Sequence, residues 1–275
     1  MPMKLVETHI VKKTHPAYEF FDKKTKLSKN LYNAAMRYIA EIYESTKTYA
    51  NYYDVNRAFV ECNKEEYRAL SANVSQQVLM QVDHAWKSYF AALREYKKNP
   101  SKFKAMPNPP KTKDLEWQRN ALTYTQRVVS SASLRNGMIV LNSEDSSLRT
   151  RLELVQQVKV TRMRTGQFKV QLVYNMDPAE KTKSDVYAGC DMGVNNFVTI
   201  GFNDKTSKAV IISGGPLKSI NQYYHKRMSE LKSKLGANHK SSKRTRRLGA
   251  KHDNKISDYV HKASRKIVDV LNENN

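Results

Sequence analysis

Cysteine is almost missing from this chain. Its 275 residues hold only Cys62 and Cys190, far apart and in no CxxC spacing. That excludes a disulfide framework and leaves no zinc site within these residues, as expected of a protein in a reducing cytosol. Cys190, inside an apolar run, reads as a small core residue. Long apolar stretches are missing too. None approaches the roughly 18–20 residues of a membrane span, and the opening "MPMKLVETHIVKK" has no signal-peptide core. Acids are scarce, 26 Asp and Glu against 48 Lys and Arg, for a formal net charge of +22. So large an excess calls for a polyanionic partner, and without a membrane segment that partner is nucleic acid.

What is present divides by hydrophobic period. Lys4 to Phe21 mixes β-branched and aromatic residues and reads as one or two strands. From Leu27 the spacing of Leu31, Ala35, Tyr38 and Ile42 predicts an amphipathic helix to about Tyr49. A short helix follows near Val55 to Cys62. The longest helix starts at a Ser71 cap, carries the stripe Val74, Val78, Val82, Ala85 or Trp86, Tyr89 and Leu93, and stops at Asn99-Pro100. Trp86, Tyr89 and Phe90 read as core residues. The run "NPSKFKAMPNPPKTK" has four prolines and four lysines. It is an extended connector, either solvated or lying on phosphates.

Beyond it the period returns to two. "GMIVLN" is a strand, and "LVQQVKVTRMRTGQFKVQLVYNM" is a hairpin turning at Thr165-Gly166, with Phe168, Val170, Leu172 and Tyr174 on one face. Lys159, Arg162, Arg164 and Lys169 are assigned to the other. A sheet with one apolar and one basic face suits a small barrel that holds nucleic acid. "VYAGCDMGVNNFVTIGF" then gives strand, Gly/Asn turn and strand, with a third strand at Ala209 to Ile212. Pro216 opens a helix striped by Leu217, Ile220, Tyr224, Met228, Leu231 and Leu235. A basic connector leads to a last helix striped by Ile256, Tyr259, Ala263, Ile267 and Leu271. Three strands alone leave these stripes partly uncovered.

Asp191 ends the first of those strands. Three antiparallel strands, then a helix, with an acid at the end of strand one, is how a ribonuclease-H-like fold begins. Its chemistry sets two divalent ions across a scissile phosphate and needs several carboxylates to hold them. Gly189 and Gly193 leave room for substrate backbone. Between Lys218 and Lys266 stand 15 Lys or Arg and only 3 acids, too few for i,i+4 pairing along a solvated helix. The expected phosphate contacts are Lys218, Lys226, Arg227, Lys243, Arg244, Arg246 and Arg247, with Lys102 and Lys104 from the connector. His84, His225 and His261 have no paired ligand spacing and no metal role.

"AGCDMGVNNFVTIGFND", "GGPLKSINQYYHKRMSELKSKL" and "KISDYVHKASRKIVDVLNENN" resemble the TnpB family of insertion-sequence proteins, long called transposases and related to type V CRISPR effectors. "NVSQQVLMQVDHAWKSYFAAL" and "RNALTYTQ" resemble it as well, so the likeness runs collinearly along nearly the whole chain. It implies an α+β protein. Residues 1–24 and 114–180 would form a wedge-type antiparallel β-barrel, interrupted by a helical recognition domain at 25–99 and the connector at 100–113. Residues 185–275 would be an incomplete RuvC domain, ribonuclease-H-like.

The resemblance also implies an RNA-guided DNA endonuclease. Its partners would be a guide RNA and double-stranded target DNA, with no membrane, in a prokaryotic cytoplasm at the nucleoid. Asp191 matches the first RuvC acid and implies Mg²⁺, with no zinc in these residues. Motif reading on DNA would fall to Asn73, Gln76 and Gln77, with Tyr124, Gln126 and Arg127 assisting; amides suit adenine edges. The family's second acid, on a strand past this point, is not matched here, since Glu273 sits at the polar end of the last helix. The expectation is a truncated form that does not cleave alone. The alternative is a nuclease-inactive RNA-guided repressor or a pseudogene fragment. No serine or tyrosine nucleophile stands in a setting that suits a recombinase.

Overall fold

In the computed structural model, which describes residues 2–141, 146–178, 185–204, 206–236 and 241–274, the chain forms two units, Met1–Pro178 and Ala179–Asn275. The first opens with strand β1 (Met3–Val11). Strand expectation fails beyond it, because Pro16 stands at the N-cap of helix α1 (Ala17–Thr46) and the His15 ring accepts the Ala17 N–H at 3.1 Å. A proline ends strand pairing and suits a helix start. Tyr18 and Phe21, one turn apart, then pack as core residues. Helix α2 (Tyr52–Glu61) begins with a capping box between Asn51 and Asp54, and α3 (Glu65–Arg68) is a single turn.

Ser71 is the N-cap residue of α4 (Ala72–Lys98), but its side chain makes no capping bond. At 27 residues α4 is shorter than α1, with 30, so it is not the longest helix. Val74, Val78, Val82 and Trp86 are buried as the stripe requires. Asp83 among them ties α4 to the chain before α2: its carboxylate accepts from the Tyr49 hydroxyl at 2.7 Å and the Tyr52 N–H at 3.0 Å, and pairs with Lys87. Burial alone would raise its pKa, but the bonds from Lys87, Tyr49 and Tyr52 hold it below the ordinary carboxylate value.

The proline-rich connector is moored at its far end. The Asn33 side chain accepts the Lys113 N–H at 2.8 Å and donates to the Lys113 carbonyl at 3.1 Å, the pairing one strand offers another. The Lys113 ammonium lies 3.2 Å from the centroid of the Tyr32 ring. Burial outweighs that cation–π attraction and pushes Lys113 from 10.5 down to about 8. Between those values the unfolded chain holds a proton that the folded chain has lost. Stability should therefore rise as pH climbs through the window, and the penalty is fully present below about 8. Urea unfolding at pH 7.5 and 9.5 checks this. Lys113→Met should abolish the rise and be the more stable at the lower pH; a rise that persists in the variant assigns it elsewhere.

After the connector come strand β2 (Leu122–Thr125), the short helix α5 (Ser131–Arg135), the two-residue strands β3 (Met138–Ile139) and β4 (Leu148–Arg149), then β5 (Gln157–Arg162) and β6 (Phe168–Met176). The β5–β6 hairpin turns where expected, with Gly166 at φ 89°, a value that favours glycine. The sheet order is β1-β6-β5-β2, antiparallel throughout. It does not close into a barrel, which corrects the sequence expectation. Its outer members, β1 and β2, do not pair with each other. The apolar face, with Leu122, Tyr124, Val158, Val160, Phe168, Val170 and Leu172 all at 0–1% exposure, shares one core with the buried faces of α1 and α4. Helices cover what strand closure would otherwise have had to bury.

Register also moves one predicted basic residue. Arg162 lies opposite Phe168 and therefore on the apolar side, where Asp22 of α1 holds both it and Arg119. Lys159 and Lys169 keep the opposite face.

The second unit opens with β7 (Ala188–Asp191), β8 (Asn196–Phe202) and β9 (Val210–Ser213), an antiparallel sheet in that order. Helix α6 (Gly215–Ser233) follows, with Pro216 in its first turn. The basic stretch expected as a connector is instead the start of α7 (Lys243–Glu273), 31 residues long, entered through a capping box of Ser242 and Thr245. Leu217, Ile220, Tyr224, Met228, Leu231 and Leu235 are only half-buried and nothing on α6 is fully buried. The thin cover expected for that stripe is what the fold shows.

Candidate functional site

Asp191 closes β7 opposite Thr199, and Gly189 lies opposite Gly201. Thr199 in turn faces Ile211 on β9. By the two-residue alternation of strands these five share one face, on which Asp191 is exposed and Ile211 is 61% exposed. The other face, with Val198 and Ile200 buried, packs on Ile267, Val270 and Leu271 near the end of α7. Asp191 is thus presented on the open side of a sheet braced from behind. Cys190 is exposed rather than a core residue; it lies on β7, at the edge of the sheet as described.

The loop after Asp191 is clasped by the entry to α6. Gly193 donates to the Asn196 carbonyl at 3.0 Å, and Gly214 donates to the Asn195 carbonyl at 2.7 Å. A Cβ on Gly214 would sit 2.3 Å from the Val194 carbonyl oxygen, closer than side chains tolerate. Only glycine lets the two backbones approach. Lys218 reaches across to the Asn195 side chain. The glycines therefore divide: nothing lies within 4 Å of a Cβ on Gly189, while Gly193 makes a tight turn rather than room for substrate. The Lys218 bridge escaped sequence reading, although "VNN" and "GGPLK" are the two halves of this clasp.

A pair of Mg²⁺ ions would need several oxygen ligands. Asp191 offers one carboxylate, and among the described residues no three His, Cys, Asp or Glu side chains gather to hold a metal. These residues alone do not fit a two-metal centre.

Helices α6 and α7 lie antiparallel. His252 stacks on Tyr224 at 4.1 Å and bonds Asn221 at 2.8 Å, while the Tyr259 hydroxyl donates to the Ser213 carbonyl. Along the first half of α7, Lys243, Arg247, Lys251 and Lys255 are all exposed. At four-residue spacing they form one row with a cation about every 6 Å. No acid stands in the first turn, so the basic start opposes the helix dipole. In the second half Lys262 pairs with Asp258 at 2.7 Å and Arg265 with Asp269 at 2.9 Å, while Lys266 is exposed. Lys251 and Lys255 were missed in sequence because reading a connector there suppressed the helical period.

Of the other expected phosphate contacts, Arg244 is exposed and Arg246 half-buried. Lys226 and Lys104 are exposed, Arg227 pairs with Glu230, and Lys102 pairs with Glu95 at 2.7 Å.

In the first unit the residues expected to read DNA lie at the start of α4. The Asn73 amide donates to the Thr125 hydroxyl at 2.9 Å and accepts the Thr125 N–H at 3.3 Å, so it splices α4 to β2. Tyr124 is 1% exposed, and burial pushes its hydroxyl well above the ordinary tyrosine value. Gln76 is half-exposed beside Tyr67, and Gln77 reaches the Met80 sulfur at 3.5 Å. Asn73→Leu should cost about 1–3 kcal/mol by leaving the Thr125 groups unpartnered, visible in urea unfolding. Unchanged stability would free Asn73 for recognition.

No curated protein sequence matches the chain. Among solved structures, the fold resembles a chain from the cryo-EM structure of the Cas12f1–sgRNA–target DNA complex, at 14% identity and TM-score 0.51, over 94% of this chain and 63% of that one. A chain of a CRISPR–Cas12f ternary complex aligns at 15% identity and TM-score 0.31, over 93% and 61%. The present chain thus spans less than two thirds of either. Residues 170–275, which hold Asp191, the clasp and the α7 cation row, match the OrfB_IS605 family, described as a probable transposase, on a mixed α/β chain with a fold similar to that of Cas12f1.

Proposed function

We propose that the chain is a TnpB-type protein that binds a guide RNA and, through it, double-stranded DNA. Residues 25–99 act as a recognition block beside the wedge-type sheet, and residues 185–275 contribute part of a RuvC-type module with Asp191 as its first acid. The observation that carries this reading is the exposed cation row on α7, which meets no acid among the described residues, inside the segment matching the transposase family. Such a row grips phosphates without reading bases. Base pairing with a guide would supply the sequence specificity, as in RNA-guided nucleases generally, and Gln76, half-exposed beside Tyr67, is the amide best placed to inspect a flanking motif. On this reading the protein works at the nucleoid of a prokaryotic cytoplasm. Cleavage would require Mg²⁺ and further acids beside Asp191; with no metal-holding cluster of acids around Asp191 among the described residues, the chain on this reading binds its target without cutting it alone.

The test is to express the 275-residue chain in bacteria, sequence the RNA that co-purifies, and reconstitute the two. Duplex DNA matching that RNA should be retained in preference to scrambled DNA, with no Mg²⁺-dependent cleavage, and Gln76→Leu should weaken discrimination among flanking sequences. Equal retention of matched and scrambled DNA, or DNA binding unaffected by ribonuclease, would overturn RNA guidance. Robust cutting would overturn only the restriction to binding.

A further inference from the structure

A cavity of about 660 Å³ opens in the first unit between the end of α1, the segment after it and the second half of α4. That is within the roughly 300–1,000 Å³ of small-molecule sites. Its floor is aromatic. Tyr43 and Tyr49 each meet Phe90, at centroid distances of 5.3 and 5.2 Å, with Trp86 packed behind all three. The three rings are half-buried, packed inward on the core but open on the cavity side. Its rim is cationic, with Lys47, Lys87, Arg94 and Lys97. Asp83 neutralises Lys87, and among the described residues no carboxylate lines the cavity itself. Lys47 sits at the C-cap of α1 at φ 57° and ψ 12°, a left-handed conformation that glycine usually takes. A lysine there is costlier than glycine, and it lines the cavity together with the rings.

We propose that this cavity binds an unpaired nucleotide of a single-stranded nucleic acid. The base stacks on Tyr43, Tyr49 and Phe90, and its flanking phosphates lie against Lys47, Arg94 and Lys97. Each part has its counterpart: π-faces take any base, and the rim takes the backbone charge. A duplex does not fit, because its bases are already stacked and show only their edges in the grooves. An acidic peptide would satisfy the rim and leave the rings bare. The proposal makes no use of Asp191 or the α7 row, so it stands or falls apart from the RNA-guided reading.

Photo-crosslinking of the full 275-residue chain with a four-nucleotide single-stranded RNA carrying one 4-thiouridine, mapped by mass spectrometry, tests it. Crosslinks are expected on Tyr43, Tyr49 or Phe90. Phe90→Leu should lower their yield about tenfold, within the range measured for loss of one base–aromatic stack. Arg94→Glu with Lys97→Glu should do the same from the exposed rim, where folding is not at issue, and crosslinks on α7 should persist in both variants. Absence of crosslinks within residues 41–49 and 87–97 would overturn the proposal, as would crosslinks indifferent to both variants. So would hexaglutamate displacing the RNA from these residues better than hexauridylate, which would assign the cavity to an acidic peptide.

Discussion

Replacing Lys243, Arg247, Lys251 and Lys255 together with alanine should lower the affinity of the chain for structured RNA by about 10²–10³-fold near 0.1 M salt. Each phosphate contact releases bound counterions, so four lost contacts should also flatten the slope of log K against log salt by about 3. Alanine is the strongest helix former, and these four side chains are exposed, so α7 should persist. The comparison that matters lies on the same helix. Lys262 and Arg265 carry equal charge but are answered by Asp258 and Asp269. Their replacement by alanine should change affinity by no more than about twofold, because a surface pair is worth little and its cation is already occupied. Fluorescence anisotropy of labelled RNA between 50 and 300 mM salt separates the two sets. A loss from the pair half as large in log units as the loss from the row of four, in proportion to the charge removed, would mean that net charge, and not the row, binds RNA.

Phe168→Ala should remove about 3–5 kcal/mol from the first unit. Phe168 begins β6 with no exposed surface, opposite Val11 of β1. Its ring lies 5.2 Å from that of Tyr18 and 6.0 Å from that of Phe21, the residues that bring α1 onto the sheet. Truncation opens a void where helix, edge strand and hairpin meet, against rings that are stiff rather than flexible. Urea unfolding followed by circular dichroism gives the loss. A change below about 1 kcal/mol would show that this junction relaxes around the void. RNA binding through α7 should survive while the first unit is weakened.

Local period made much of this legible. Alternation in "FKVQLVY" placed one face of β6 in the core, and three-to-four spacing found the half-buried stripe of α6. What escaped depended on partners distant in sequence. Arg162 looked basic-faced until register set it opposite Phe168 and beside Asp22. Asn73 read as an exposed helix amide, yet its partner lies 52 residues away on β2. The helical start at Ala17 was hidden in a β-rich composition, where Pro16 was the one local sign. Asp191 could be placed at a strand end from its flanks; which side it presents follows only from α7 packing on the opposite face. The open sheet escaped because nothing local says whether an apolar face will be met by a strand or by a helix.

The pairing of β1 with β6 has a consequence for synthesis. Every residue of β1 is matched to one in β6, and about 155 residues emerge from the ribosome between them. At about 5–20 residues per second, the N-terminal strand waits roughly 8–30 s for its mate. Meanwhile Met3, Val6 and Ile10, which stay 44–49% exposed even after folding, offer nascent chains a sticky unpaired ribbon. Early docking of α1 against α4 would shorten no part of that wait, so trigger-factor-like shielding of the first dozen residues should improve the yield of folded protein more than any change to the helices.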